Sequence, residues 1–425
     1  MLLASQVFSL TALLWAVIPF VGASNQPRGF KKPLTPSVDP FYTPDDGWEL
    51  TPPGTILKSR RVAIASIVQG VPTALESAHQ LLYRTTNGRG LPNYAMNTVL
   101  IPYGAQLDLL ASYHVGYDSP NNDCSPSYGI QLGASTNSSE TLIELVVGML
   151  PYLKKGIPLS VPDYLQRTAA FMVGQSAAYA VLDSLRAVRN SKNITGISED
   201  AITTIHGYSQ GALAALYAGL YRRSYAPDVR IDGAALGGMP TNISEVFYAV
   251  EKTISAGLAA ASLMGIAHVY PELRAYIDKH LLPKYRPLYE ITQQECIADF
   301  YKPVYGYAVH LIGQNVSTWF DNGRAIISDN IELFNFVGVP GLLGKPDFPM
   351  FIWRGTDDEV AVGIEEHDAL VQRYCDEGLA IEYLRVHKTL HTPTIPFGLP
   401  GAHDFAARVF KGKPPTKCTT NDLWP

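Results

Sequence analysis

Charge is scarce in this chain of 425 residues. Asp, Glu, Lys and Arg together make up 17% of it, the formal net charge is −5, and Lys and Arg are scattered along the sequence. Without a basic stripe nothing follows a phosphate backbone, so nucleic acid is excluded as a partner. Cysteine is sparse too. The four present, Cys124, Cys296, Cys375 and Cys418, show no C-x-x-C spacing, which argues against a thiolate metal site and for two disulfides in an oxidising compartment. Four cysteines permit three pairings, and spacing does not choose among them. Internal repeats and low-complexity tracts are lacking as well, which excludes solenoids and arrays. Beyond the first 24 residues the sequence also lacks a membrane span. Residues 253–271 carry no formal charge, but their Ser, Thr, Gly, His and Tyr content fits a buried or substrate-facing helix.

What is present is apolar. Hydrophobic residues account for 47% of the chain, enough for a sizeable core and against wholesale disorder. The length holds either one large α/β domain with an insertion or two domains. Residues 1–24, MLLASQVFSLTALLWAVIPFVGAS, form an uncharged apolar run ending in small residues, with Val21 and Ala23 placed as the −3 and −1 positions of a cleavage site. That is the pattern of a secretory signal peptide; the lack of Lys or Arg at its start leaves a retained anchor as the alternative. Sequons at Asn137, Asn193, Asn242 and Asn315 fit a secreted glycoprotein. Residues 25–55, rich in Pro, Gly and polar side chains, read as an extended arm on the domain surface.

Runs at 62–68, 94–101 and 112–116 read as strands, and 73–83 as a helix followed by a turn at Asn87-Gly88. Residues 117–128, crowded with Asp, Asn, Ser and Pro, read as a loop carrying Cys124. A helix over 141–153, a weak strand over 156–161 and an amphipathic helix over 171–188 follow, the last with Val173, Ala177, Ala180, Val181 and Leu185 inward. Such alternation predicts a mostly parallel central sheet flanked by helices. After a strand at 231–236 the strand signals vanish, and helical runs with apolar, Tyr-rich faces take over until about residue 347. Strands return at 350–353 and 381–386, with helices at 365–377 and 402–410. The expected organisation is an α/β core in two parts, 25–238 and 348–425, interrupted by a helical cap or lid at 239–347.

The chemistry is concentrated at residues 201–222, AITTIHGYSQGALAALYAGLYR. The first six read as a short buried strand, Gly207-Tyr208-Ser209-Gln210-Gly211 follows, and Leu213, Leu216, Tyr217 and Leu220 recur at helical spacing. G-x-S-x-G alone is a common pattern; the strand, sharp turn and helix around it mark Ser209 as a nucleophile. The helix also aims free N–H groups at the turn, which suits an oxyanion. Such a serine needs a base, and the base needs a carboxylate to fix its tautomer. After the strand at 350–353 comes Arg354-Gly355-Thr356-Asp357-Asp358-Glu359-Val360, with three adjacent carboxylates. Asp358 is favoured because the loop has had room there to turn back toward the elbow. Asp357 and Glu359 read otherwise as solvated loop charges or helix caps. Among the downstream histidines, His367 falls within a helix before the last strand, His403 opens the last helix, and His391 lies in a Pro-rich loop able to hang over the strand ends. His391 is the favoured base, ahead of His403 and then His387.

The strings PPGTILKSR (52–60), LLYRTTN (81–87), YDSPNNDCSPSY (117–128), GYSQGA (207–212), FIWRGTDDEV (351–360) and HTPTIPFGLPG (391–401) resemble the fungal secretory lipases of the Candida lipase A type. The agreement runs from about residue 40 to Cys418 and keeps its spacing. It implies an α/β-hydrolase fold with Ser209 as nucleophile, Asp358 as acid and His391 as base. It also implies an oxyanion hole built from the backbone N–H groups of Asp118 and Gln210, and disulfides joining Cys124 to Cys296 and Cys375 to Cys418. Two departures stand out: Gln210 replaces a common His, and Ala361-Val362 replaces a usual Val-Pro. The expected protein is a secreted triacylglycerol lipase needing neither metal nor organic cofactor. Its expected partners are a lipid or other ester substrate and a transient lipid–water interface, with no integral membrane span after signal cleavage. The rival with the same fold and triad is an esterase or deacetylase of a small acylated secondary metabolite, since relatives of this family include such enzymes. A non-enzymatic adhesion protein on a hydrolase scaffold is disfavoured because all three triad residues remain.

Overall fold

Most of the apolar runs pair into one ten-stranded sheet in the computed structural model, which describes residues 32–65, 75–134, 139–297 and 306–425. The proposed signal peptide and the sequon at Asn137 lie outside the described residues. The strands are β1 (Ile56–Arg61), β2 (Leu75–Thr86), β3 (Pro92–Pro102), β4 (Leu109–His114), β5 (Leu159–Pro162), β6 (Ile202–Tyr208), β7 (Gly233–Gly237), β8 (Met350–Gly355), β9 (Ile381–Val386) and β10 (Thr419–Leu423). They lie in the order β1-β2-β3-β5-β4-β6-β7-β8-β9-β10. The first three and the β3–β5 junction are antiparallel; from β5 onward every pair is parallel. Every residue of β4, β7 and β8 is buried, as expected of central parallel strands covered on both faces.

Counting helices of eight residues or more, α1 (Gly174–Arg189), α2 (Gln210–Tyr225), α3 (Ile243–Val250), α4 (Gly257–Ala267), α5 (Pro271–His280), α6 (Ile331–Gly338), α7 (Ile364–Asp376) and α8 (Ile395–Phe410) occur among the described residues. The two-residue alternation of the strands sorts the core into two layers. Ala234, Leu236, Met350 and Ile352 join the larger cluster with α1 and α2, whereas Ala235, Phe351 and Trp353 pack with Ala402, Phe405 and Val409 of α8.

Within the expected helix at 73–83, the described residues 75–83 form a strand. Leu75, Ala78, Leu81 and Leu82 do recur at helical spacing, but β2 pairs with β1 on one side and along its length with β3 on the other. That two-sided ladder, with Gln80, Tyr83 and Thr85 buried as well, outweighs local propensity. The turn at Asn87-Gly88 joins β2 to β3 as expected, with the Asn87 carbonyl accepting from the Gly90 amide. The last helix begins at Ile395 instead of 402 and contains Pro400. Pro396 falls in its first turn, where a missing N–H leaves no bond unmade. β10 has no counterpart among the expected strands: it is polar and mostly exposed, and parallel pairing with β9 holds it in place.

Between β7 and β8 the described chain is helical, and its one β-bridge joins Leu281 to Phe320. The uncharged run at 253–271 takes the buried option, since Ala259, Ala260, Ala261, Leu263, Met264 and Ile266 of α4 are all inaccessible or nearly so. Among the described residues no helix is long and apolar enough to cross a membrane.

Candidate active site

Ser209 stands between β6 and α2 with φ 52° and ψ −122°, in the positive-φ region that a side chain rarely adopts. Close approach of the two elements forces this turn. A Cβ on Gly207 would lie 2.2 Å from the Gly211 carbonyl carbon, and one on Gly211 would lie 2.0 Å from the His114 carbonyl oxygen. Only glycine fits either place, so the G-x-S-x-G spacing follows from packing. The Ser209 amide donates to the Gly237 carbonyl at 2.8 Å, tying the turn to the end of β7.

Two more strands deliver their C-terminal loops to the same edge. After β8, Asp358 accepts from the amides of Val360 at 3.1 Å and Ala361 at 2.7 Å. After β9, His391 places Nε2 2.9 Å from Ser209 Oγ and Nδ1 2.8 and 3.0 Å from the two Asp358 carboxylate oxygens. With the proton on Nδ1 donated to Asp358, Nε2 is free to accept the serine proton. Asp358 and His391 are buried and Ser209 is half-buried. Burial alone pushes the His391 imidazole down. It is outweighed by the charge and hydrogen bond of Asp358, then by Glu359 and Asp118, so the pKa lies above the ordinary 6.5.

The structure also brings Asp118 and Gln210 to this edge. Asp118 follows β4 with φ 38°, and its carbonyl accepts from the Tyr307 hydroxyl. One oxygen of its carboxyl is inaccessible, and desolvation pushes the group up to about 6 while the nearby His391 pulls it down. Gln210 opens α2 with its amide in the first turn, where N–H groups have no partner within the helix. Tyr164 links the two segments, its hydroxyl lying 2.5 Å from the Val115 carbonyl and 2.9 Å from the Gln210 side-chain amide. One hydroxyl has one proton. Two acceptors, the Val115 carbonyl and Gln210 Oε1, share it.

The competing residues are occupied elsewhere. His403 bonds the Gly148 carbonyl at 2.9 Å, His387 pairs with Asp422 and stacks on Trp424, and His367 is buried against Tyr383. Asp357 is exposed and accepts from Thr356. Glu359, read from sequence as a solvated charge or cap, is exposed and also accepts the His391 amide at 2.8 Å. Tyr208, Tyr164 and Tyr307 also went unread, since nothing in their local pattern announces a contact made across loops. Disulfides join Cys124 to Cys296 and Cys375 to Cys418. The departure at Ala361-Val362 leaves the acid's bonds intact, because the Ala361 amide reaches Asp358 and the Val362 carbonyl accepts from Arg354. Of the described sequons, Asn193 is exposed and Asn242 caps α3 through its side-chain oxygen. At Asn315 the amide nitrogen faces Glu251 at 3.1 Å.

Residues 130–418 match the family model described as Secretory lipase. Lipase 2 of Candida albicans is 33% identical over 92% of this chain and 86% of its own length. The trichothecene C-3 esterase of Fusarium sporotrichioides is 34% identical over 89% of this chain and 83% of its own. Among solved structures, Candida antarctica lipase A in its closed state superposes with a TM-score of 0.78 at 25% identity, covering 91% of this chain and 88% of the other.

Proposed function

The chain belongs to the secretory lipase family, and from that premise we propose that it is a secreted triacylglycerol lipase working through Ser209, His391 and Asp358. The observation that carries the assignment is the unbroken hydrogen-bonded line from Asp358 through His391 to Ser209, set on a strained strand-to-helix turn. His391 Nε2 takes the Ser209 proton as Oγ attacks the ester carbonyl, and the electron pair moves onto the carbonyl oxygen. The amides of Asp118 and Gln210 receive that oxyanion, the second with the help of the N-terminus of α2. As the tetrahedral intermediate collapses, the imidazolium gives its proton to the leaving alcohol and an acyl-enzyme remains. Water, deprotonated by His391, repeats the sequence and frees the acid. Asp358 holds the tautomer and offsets the imidazolium charge throughout. This chemistry calls for no metal or organic cofactor.

The helical segment at 239–347 acts in this reading as a cap, and residues 1–24 as the signal that takes the protein out of the cell. Ser209→Ala tests the core of the proposal: the folded variant should lose nearly all ester hydrolysis and all labelling by a fluorophosphonate. Retention of more than a small fraction of the rate would refute it. A second reading, hydrolysis of an ester on a small acylated metabolite, is favoured by the likeness to the trichothecene esterase. A panel of esters from acetate to oleate separates the two.

A further inference from the structure

His391 is held at more than its imidazole. Its backbone N–H donates to Glu359 Oε2 at 2.8 Å and its carbonyl accepts the Tyr208 hydroxyl at 2.6 Å, with a longer 3.3 Å bond from the Thr394 amide. Glu359 directly follows Asp358, and Tyr208 directly precedes Ser209. Acid and nucleophile therefore each have a neighbour gripping the peptide of the base. We propose that Glu359 and Tyr208 are positioning residues that clamp the His391 peptide and so set the imidazole between Ser209 and Asp358. The inference rests on the ester-hydrolase reading above and adds to it.

The physical need for a clamp is plain. His391 sits in the connection between β9 and α8, outside any regular hydrogen-bond ladder, and a displacement of about 1 Å in a reacting group costs on the order of a hundredfold in rate. Tyr208 occupies the position of G-x-S-x-G that packing leaves free, yet its ring lies 5.8 Å from Trp353 and 5.2 Å from His391, buried and with its hydroxyl spent on the base. Removing that hydroxyl as Tyr208→Phe keeps the ring. Glu359 lies on the surface of its loop, where a carboxylate has full hydration available and needs no partner. That it bonds a backbone amide of the base instead is the part a solvated charge does not explain.

Glu359 carries a second consequence through its charge. The groups that face the His391 imidazole are Asp358 and Glu359 from the β8 loop, Asp118 from the β4 loop, and Tyr208 and Ser209 from the elbow. Glu359 is the carboxylate among them that can lose its charge and keep its bond, because a glutamine oxygen still accepts the His391 amide. A negative charge near the ring favours imidazolium, whereas catalysis needs the neutral ring. Neutralising Glu359 therefore moves the acid limb of the rate profile to lower pH.

The test uses the full chain and a p-nitrophenyl ester, comparing wild type, Ser209→Ala, Tyr208→Phe, Glu359→Ala and Glu359→Gln for kcat, KM and the pH dependence of kcat/KM. Tyr208→Phe and Glu359→Ala should each lower kcat about tenfold, the usual worth of a hydrogen bond to a charged or fixed group, with KM changed less than about twofold. Glu359→Gln should restore most of the lost kcat above the acid limb, yet share the limb shift of Glu359→Ala. Wild-type kcat in Tyr208→Phe and Glu359→Ala overturns the clamp, and an unmoved acid limb in Glu359→Gln overturns the charge effect. Activity surviving in Ser209→Ala sinks the hydrolase reading instead, so the two failures are told apart.

Discussion

Cutting the Cys124–Cys296 bridge, as Cys124→Ser with Cys296→Ser, should damage catalysis out of proportion to stability. The Cys375–Cys418 bridge supplies the control. The two disulfides span sequence separations of 172 and 43 residues, and the chain-entropy relation gives ceilings of about 5 and about 4 kcal/mol for the stability they contribute. Those values lie close together, so unfolding midpoints in urea should fall by similar amounts. Their positions differ sharply. Cys124 ends the loop that carries Asp118, and Cys296 belongs to the segment whose Ile297 amide donates to Ser119 Oγ at 3.0 Å and whose carbonyl accepts the Tyr307 amide at 3.0 Å. Tyr307 in turn donates its hydroxyl to the Asp118 carbonyl. Without the covalent tie, Asp118 depends on those hydrogen bonds alone to stay at φ 38°. Complete loss of one oxyanion donor costs roughly a hundredfold to a thousandfold in kcat, so loosening it should cost at least about tenfold. Removing Cys375–Cys418, at the far edge of the sheet, should cost less than about threefold, because no catalytic donor depends on it. Both double variants are to be assayed on one ester in buffer, where each is still folded by circular dichroism. Equal losses of kcat, or a greater loss in the Cys375–Cys418 variant, would refute the reasoning.

His391→Ala should abolish hydrolysis and fluorophosphonate labelling. His403→Ala should lower stability by about 1 kcal/mol through its bond to Gly148 and leave kcat near wild type, as activity and thermal melts will tell. Because His391 must be neutral to accept the Ser209 proton and its pKa lies above 6.5, kcat/KM should fall as pH drops through a value above 6.5 and level off at higher pH; a limb centred below 6 would contradict the carboxylate cluster around the base. In a lipase each methylene buried by the acyl chain contributes about 0.8 kcal/mol, so preference should rise by up to about tenfold per two carbons until the groove is full. Leu258→Asp, at a half-buried site on α4, should depress oleate turnover more than acetate turnover in that case. A charge at the fully buried Leu263 should unfold the helix packing and report nothing about substrate. A wild type that prefers acetate and declines with chain length would favour the metabolite esterase.

The elbow was readable in the sequence because its logic is local: two glycines, a serine and the switch from a two-residue to a helical period all fall within residues 201–222. The lines joining Ser209 to His391 and His391 to Asp358 were reachable for a related reason, since chain order and strand ends restrict which loops share an edge. β2 was not readable, because its apolar residues satisfy a helical spacing and the partners that make it a strand, β1 and β3, act from outside it. β10 offers no apolar alternation at all, and only its pairing with β9 defines it. Glu359 and Tyr208 act on a backbone amide and a backbone carbonyl. Such contacts leave no residue signature at the receiving end, so no pattern in the chain could have named them.

β7 and β8 are adjacent and parallel, with Ala234 paired to Met350 and Gly237 to Trp353, so the helical segment between them departs at one edge of the sheet and returns at the other. Its ends are fixed by the sheet whatever it contains. Closing a flexible excursion grows costlier only with the logarithm of its length, about 0.6 kcal/mol per doubling, but this segment is not free: its helices pack into the main core and Cys296 bridges it to Cys124. Through the Cys124–Cys296 bridge and the Tyr307 hydroxyl the same segment grips the loop that carries Asp118, so a change made anywhere along it is transmitted to that loop.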